Sequence, residues 1–288
     1  MMSLLRQFRE AVGSLNPHEV RDAAERRISV HLIASKASSY SAMADWLLPE
    51  GLSRAKREEA SRMIYLEGED KRPEKFDLEI YAEDAIAPVG AFIFEKEDPR
   101  RVVRAILDRE DHLGLPLARL FPPFREEVCA RLIHKLSLEN AMFSVATALP
   151  NIAPFLGIGW AVGEFASDSV VLTMNQLRLA FYLGAANDRP VGYGPQRAEV
   201  GSIIAGAFGW RAVARELVGK IPMGGGLAPK AAVAYAGTYV VGRSLERYYR
   251  FGYKYTRAER RAAYEDAFEK GKSIATGLIE RFKGRKSA

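Results

Sequence analysis

From Ala141 to Gly163 the chain runs for 23 residues without a charged side chain, and Pro150, Asn151 and Pro154 fall at its centre. At about 1.5 Å per residue, that length would cross a hydrocarbon layer of about 30 Å. A bilayer helix broken at its middle leaves backbone groups unpaired unless protein covers them. The simpler reading is a helix from Pro122 to about Leu149, a Pro-Asn turn, and a second helix from about Leu156 to Leu183. Apolar, Gly- and Ala-rich helices of this kind must pack closely on one another, in a protein core or in lipid.

The second helix carries two further signals. Gly159 and Gly163 form a G-x-x-x-G pair that admits a close helix neighbour. Glu164, Asp168 and Asn175 lie near one stripe, with Arg178 about one turn from Asn175. Three readings of the stripe stand side by side: the wet edge of an amphipathic helix, a buried polar network, and an ion-binding face. Charges next to so apolar a run are costly unless paired. After a Gly-, Asn- and Pro-rich loop, Glu199–Trp210 reads as a third apolar helix, with Gly201, Ala205 and Gly209 at four-residue intervals. IPMGGGLAP reads as a helix-linking turn. A fourth helix starts beside Pro229 and carries Ala232, Ala236 and Val240 on one line.

The first 120 residues follow a different rhythm. Ile28–Ala34, RMIYLEG, Phe76–Ala82 and Val89–Glu95 are rich in β-branched and aromatic residues and read as strands. SYSAMADWLL, SRAKREEASR with Ser53 as its cap, and RRVVRAILDR behind Asp98-Pro99 read as helices. The fold class expected is α+β: a small N-terminal α/β sandwich followed by an all-α bundle of Gly/Ala-rich helices. The boundaries expected are 1–120 for the α/β domain, with a degenerate nucleotide-binding fold as one reading of it, 121–255 for the bundle, and 256–288 for a basic amphipathic helix and tail.

The sequence carries few motifs with chemistry. SKASSYSA after the first strand lacks the glycines that let backbone amides close around phosphates. Its Ser35-Lys36-Ala37-Ser38 faintly resembles a guanine-reading turn, but Ser38 stands where an aspartate would grip the base. Gly271-Lys272-Ser273 lies in a charged helical pattern, with Asp266 where the first glycine of a phosphate loop would be. The four histidines, His18, His31, His112 and His134, lack metal-ligand spacing, and no G-x-S-x-G is present. Glu67, Glu69 and Asp70 around Gly68 read as a solvated turn, too few for a cation cage. The expectation is therefore no catalytic residue, no cofactor and no metal, although Glu164 and Asp168 would be the candidates if a pocket opened between the helices.

Charge is unevenly spread. The net charge is +6, yet from Arg243 to the end there are 13 Lys and Arg against 6 Asp and Glu. A near-neutral body with a basic end points to a local anionic contact. RSLERYYRFGYKYTRAERR sets aromatic rings among cations, a mixture suited to a membrane interface. The residues expected to meet an anionic surface are Arg243, Arg247, Arg250, Lys254, Tyr248 and Tyr249. Charge reversal at Arg247, Arg250 and Lys254 is expected to weaken that contact. Nucleic acid is a poorer fit, because one short basic stretch makes little track for a strand. The bland alternative is that these aromatics pack internally while the charges are solvated. At the other end, Leu4, Leu5, Phe8, Val12 and Leu15 fall at helical spacing among charges, which predicts an amphipathic helix and no secretory signal. The single Cys129 excludes a disulfide within the chain and fits a cytoplasm-facing protein.

Three segments carry a resemblance: NIAPFLGIGWAVGEFASDSVVLTMNQLRLAFYLGAA, EVGSIIAGAFGWRAVARELVGKIPMGGG and AVAYAGTYVVGRSLERYY. Together they resemble the helical GTPase-associated domain catalogued as domain of unknown function 697, over roughly Pro123 to Tyr253. The resemblance implies a helical module, typically bacterial, coupled to a GTPase or close to the inner membrane, and it supplies no catalytic residue. No intact GTPase motif precedes it in this chain. The expected function is a non-enzymatic scaffold, cytoplasmic or peripheral on the inner membrane's cytoplasmic face, with an anionic membrane surface or a GTPase or other protein as partner. The alternative is a degenerate nucleotide-binding, pseudo-GTPase switch.

Overall fold

The computed structural model describes residues 15–67, 73–148, 168–206 and 227–284. It has an α+β fold, a small parallel sheet and a set of long helices, and divides into two compact units.

Glu19–Ala130 and Gly184–Arg189 make the sheet unit. Its elements are α1 (Pro17–Glu25), β1 (Val30–Ile33), α2 (Ala37–Leu47), α3 (Arg54–Ser61), β2 (Ile64–Leu66), β3 (Leu78–Ala82), β4 (Phe92–Phe94), α4 (Pro99–Arg109) and α5 (Gly114–Leu120). The strands are all parallel, in the order β2-β1-β3-β4, with Leu32 opposite Ile80 and Ile80 opposite Phe92. Side chains alternate across the pleat. Val30, Leu32, Leu78, Ile80 and Ala82 are buried on one face, while His31, Glu79 and Tyr81 take the other.

The ladders are shorter than the sequence suggests, and side chains explain the first boundary. The Ser29 amide donates to Asp77 Oδ2 at 2.8 Å and the Asp77 amide donates to Ser29 Oγ at 3.0 Å. These bonds satisfy the backbone just before Val30 and Leu78, so strand pairing begins there. Ser53 caps α3 as expected, accepting from the Lys56 amide at 3.2 Å. Pro99 opens α4 in the N1 position, whereas Asp98 makes no capping hydrogen bond. Its backbone, at φ −137° and ψ 72°, lies off the extended geometry that aims a cap side chain into the first turn.

The helical unit comprises, of the described residues, 15–18, 131–148, 168–183, 190–206 and 227–284. It takes α6 (Pro122–Ala148) from Arg131 onward, α7 (Asp168–Ala186) as far as Leu183, helical residues 197–206, α8 (Leu227–Phe251) and α9 (Arg257–Gly284). The expected N-terminal helix with Leu4, Leu5, Phe8 and Val12 lies outside the described residues. So do the Pro-Asn turn, Gly159, Gly163, the glycine-rich turn and most of the acidic cluster at Glu67 to Asp70.

Small residues set the packing. A Cβ on Gly242 of α8 would lie 2.8 Å from Ile133 Cγ1 of α6 and 2.9 Å from Leu179 Cδ2 of α7. One on Gly271 of α9 would lie 2.9 Å from the Ala232 carbonyl oxygen of α8. Around that crossing Ala231, Tyr235 and Ala275 are fully buried with Ala141 and Val145 of α6. Burial pushes the Tyr235 phenol up to about 12, and its oxygen sits 3.0 Å from His134 Nδ1. The expected C-terminal amphipathic helix is α9, and it packs along α8 within this unit. Among the described residues no helix is long and apolar enough to cross a membrane.

Candidate functional site

Two sets of side chains mark candidate sites in the sequence, the polar stripe of α7 and the basic end of α8. Glu164 lies outside the described residues, and Asp168 is the first described residue of α7. Asn175 is 2% exposed, so at this position the stripe is interior rather than a wet edge. Its amide donates to Asn140 Oδ1 at 2.7 Å, and Asn140 donates to Thr238 Oγ1 at 2.6 Å and to the Leu172 carbonyl at 3.3 Å. Arg178 Nη1 donates to Asn175 Oδ1 at 3.3 Å and reaches Glu139 Oε2 at 3.4 Å. Groups from α6, α7 and α8 thus satisfy one another in a chain that runs from the half-exposed Arg178–Glu139 pair into the core. A buried network so connected orients its helices and leaves little capacity for a ligand.

The basic end is also largely self-paired. Arg243 Nη1 lies 2.6 Å from Glu246 Oε2, and Arg250 Nη1 lies 3.5 Å from Glu246 Oε1. Glu246 is 3% exposed, and a buried carboxylate needs such cations to offset its lost hydration. Arg247 Nη1 pairs with Glu259 Oε1 at 2.8 Å and lies over the rings of Tyr253 and Tyr255. Glu259 also accepts from the Thr256 amide and hydroxyl at 2.8 and 2.9 Å. The Thr256 amide, Arg247 and the Thr256 hydroxyl together hold its carboxyl down at about 2. Tyr249 is buried and accepts from Gln196 Nε2 at 2.7 Å, and Tyr248 lies under Lys254. Of the six expected residues, Arg243, Arg247, Arg250 and Tyr249 therefore act inside the helical unit. Lys254 remains outward.

The chain matches no protein-family model, no curated protein and no solved structure with which it was compared.

Two charged clusters of the sheet unit escaped the sequence reading. At the carboxyl ends of β1 and β3, the Ser35 hydroxyl donates to the Asp84 carbonyl at 2.8 Å and the Ser39 hydroxyl donates to Asp84 Oδ2 at 3.1 Å. A parallel sheet with this strand order changes direction between β1 and β3, where such sheets commonly hold ligands. Here a carboxylate of the chain itself lies against the first turn of α2, where an incoming phosphate would meet like charge. The second cluster joins α3 to Asp188, two residues past the end of α7. Lys56, 8% exposed, pairs with Asp188 Oδ1 at 2.8 Å and Glu59 Oε2 at 3.1 Å, and Arg119 joins both carboxylates. Burial pushes Glu59 upward, but the bonds and charges of Arg119 and Lys56 outweigh it and hold the carboxyl below its ordinary value. Lys56 lies 132 positions before Asp188, so no local pattern announces the pair. Among the described residues no group of three or more His, Cys, Asp or Glu is placed to hold a metal ion.

Proposed function

We propose that the chain is a non-enzymatic scaffold that works at the surface of a membrane, with a GTPase or another protein as a second partner. The observation that carries this reading is where the surplus charge lies. The 13 Lys and Arg against 6 Asp and Glu from Arg243 onward lie largely on α8 and α9. That helix pair is closely seated: a Cβ on Gly271 would lie 2.9 Å from the Ala232 carbonyl oxygen. A cationic surface on a folded element attracts anionic lipid and is weakened by salt. The cytoplasmic face of the inner membrane is the placement proposed. Fractionation of cells expressing the intact protein tests it. Recovery with membranes at low salt and release at high salt supports the reading, and recovery in the soluble fraction at low salt contradicts it.

A second reading, a degenerate nucleotide-binding switch, draws on the order β2-β1-β3-β4 and its change of direction at β1 and β3. The Asp84 carboxylate beside Ser39 weighs against it. A nucleotide at 100 times its dissociation constant would add about 2.7 kcal/mol of stability. A thermal melt unmoved by GTP and ATP removes this reading.

A further inference from the structure

α8 ends in a sharp reversal. The Gly252 amide donates to the Tyr248 carbonyl at 2.8 Å, and Gly252 takes φ +83°, the left-handed conformation that closes helices and that glycine adopts without strain. On either side Phe251 is 58% and Tyr253 55% exposed, with ring centroids 6.1 Å apart. They are two of the few large apolar side chains that the described residues leave in solvent. Three cations follow within two turns: Lys254, Arg257 and Arg260 are exposed and make no ion pair among the described residues. Each neighbouring arginine is paired, Arg247 with Glu259, Arg250 with Glu246 and Arg261 with Glu265.

We infer that this corner, Phe251 to Arg260, is the surface that meets an anionic phospholipid bilayer, with the two rings entering the headgroup layer and Lys254, Arg257 and Arg260 over lipid phosphates. The inference rests on the membrane reading above and moves the contact beyond the arginines of α8. Charge complementarity selects the partner. The paired arginines contribute little net field, whereas three unpaired cations attract a negative surface across a Debye length. Exposed aromatic rings beside them suit the interface, where one side of the ring is apolar and the other wet. Single-stranded nucleic acid also stacks on rings, but it needs a basic track several nucleotides long, and this corner is one turn and one helix start. Two rings and three cations make a reversible anchor, far weaker than a spanning helix.

The test is co-sedimentation of the full chain with phosphatidylglycerol vesicles, with phosphatidylcholine vesicles and a single-stranded oligonucleotide as comparisons. Each cation near an anionic surface is worth about fivefold in partitioning, so K254Q/R257Q/R260Q lowers it on the order of a hundredfold. A variant losing three exposed cations of the sheet unit, K96Q/R100Q/R104Q, binds nearly as the parent does. F251S/Y253S weakens binding in both low and high salt, because its loss is apolar. If the parent binds and the corner variants bind equally well, the corner is refuted while the membrane reading stands. A parent chain that ignores anionic vesicles refutes both. Retention of the oligonucleotide but not of vesicles replaces lipid with nucleic acid as the occupant.

Discussion

Asn175 of α7 donates its side-chain amide to Asn140 Oδ1 of α6 at 2.7 Å, where the two residues are 2% and 0% exposed. The buried Asn175 amide depends on Asn140 for its acceptor. Asn140→Ala strands the Asn175 amide and removes the donor to Thr238, at a cost of about 1–3 kcal/mol for each group left unsatisfied. The double variant Asn140→Ala, Asn175→Ala is expected to cost less than the sum of the single changes, since the second removes a group already stranded. Urea denaturation of the four proteins measures the coupling, and strict additivity contradicts it.

The two close-packed glycines are expected to differ in tolerance. At Gly271 an added methyl meets the Ala232 backbone, which cannot move without shifting α8 against α9. Gly271→Ala should cost about 1–3 kcal/mol by overpacking. At Gly242 the obstacles are the ends of Ile133 and Leu179, which can rotate, so Gly242→Ala should lower Tm less. The reverse order in a thermal melt would contradict this packing.

Lys56→Met removes the cation shared by Asp188 and Glu59 and is expected to cost about 1.5–3 kcal/mol, the range for charge-assisted hydrogen bonds. Glu59 is depressed from its ordinary 4.5, so its stabilising contribution is present above that value and lost as pH falls through its folded value. Glu59→Gln should therefore flatten the acid limb of stability against pH. An unchanged acid limb contradicts the assignment.

Glu259 behaves likewise at the start of α9. Its carboxyl is held at about 2, so the Thr256 cap and the Arg247 pair persist above pH 4.5 and loosen as pH falls toward 2. Glu259→Gln should fray the first turn, seen as faster amide exchange at Arg257–Arg260. It also frees Arg247, so binding to anionic vesicles should rise, not fall. Weaker binding by this variant would mean that Arg247 is not restrained by its pair.

Much of this fold is legible in the sequence because it rests on local pattern. Alternating Val30 and Leu32, the Ser53 cap, Pro99 at N1 and the long apolar period of α8 each report a local preference. The fine ends of the strands depend on Ser29 and Asp77, which are 48 positions apart and carry no shared local signal. The basic end was legible as composition but not as chemistry. Seven cations in RSLERYYRFGYKYTRAERR look alike in a row, and pairing with Glu246, Glu259 and Glu265 divides them into spent and free. The same holds for the α7 stripe, where Asn175 gains its role from Asn140 on another helix. A wet edge is only one of the readings open to polar residues beside an apolar run. Here three helices each bring a polar group to the same point.

The most direct measurement is hydrogen exchange of the intact protein with and without phosphatidylglycerol vesicles, read peptide by peptide. The account predicts slowed exchange centred on 251–261, abolished by high salt, while the Glu59 and Asn140 regions keep their free-protein rates. Vesicle-bound protein with no protection at 251–261, or protection centred elsewhere, would contradict it.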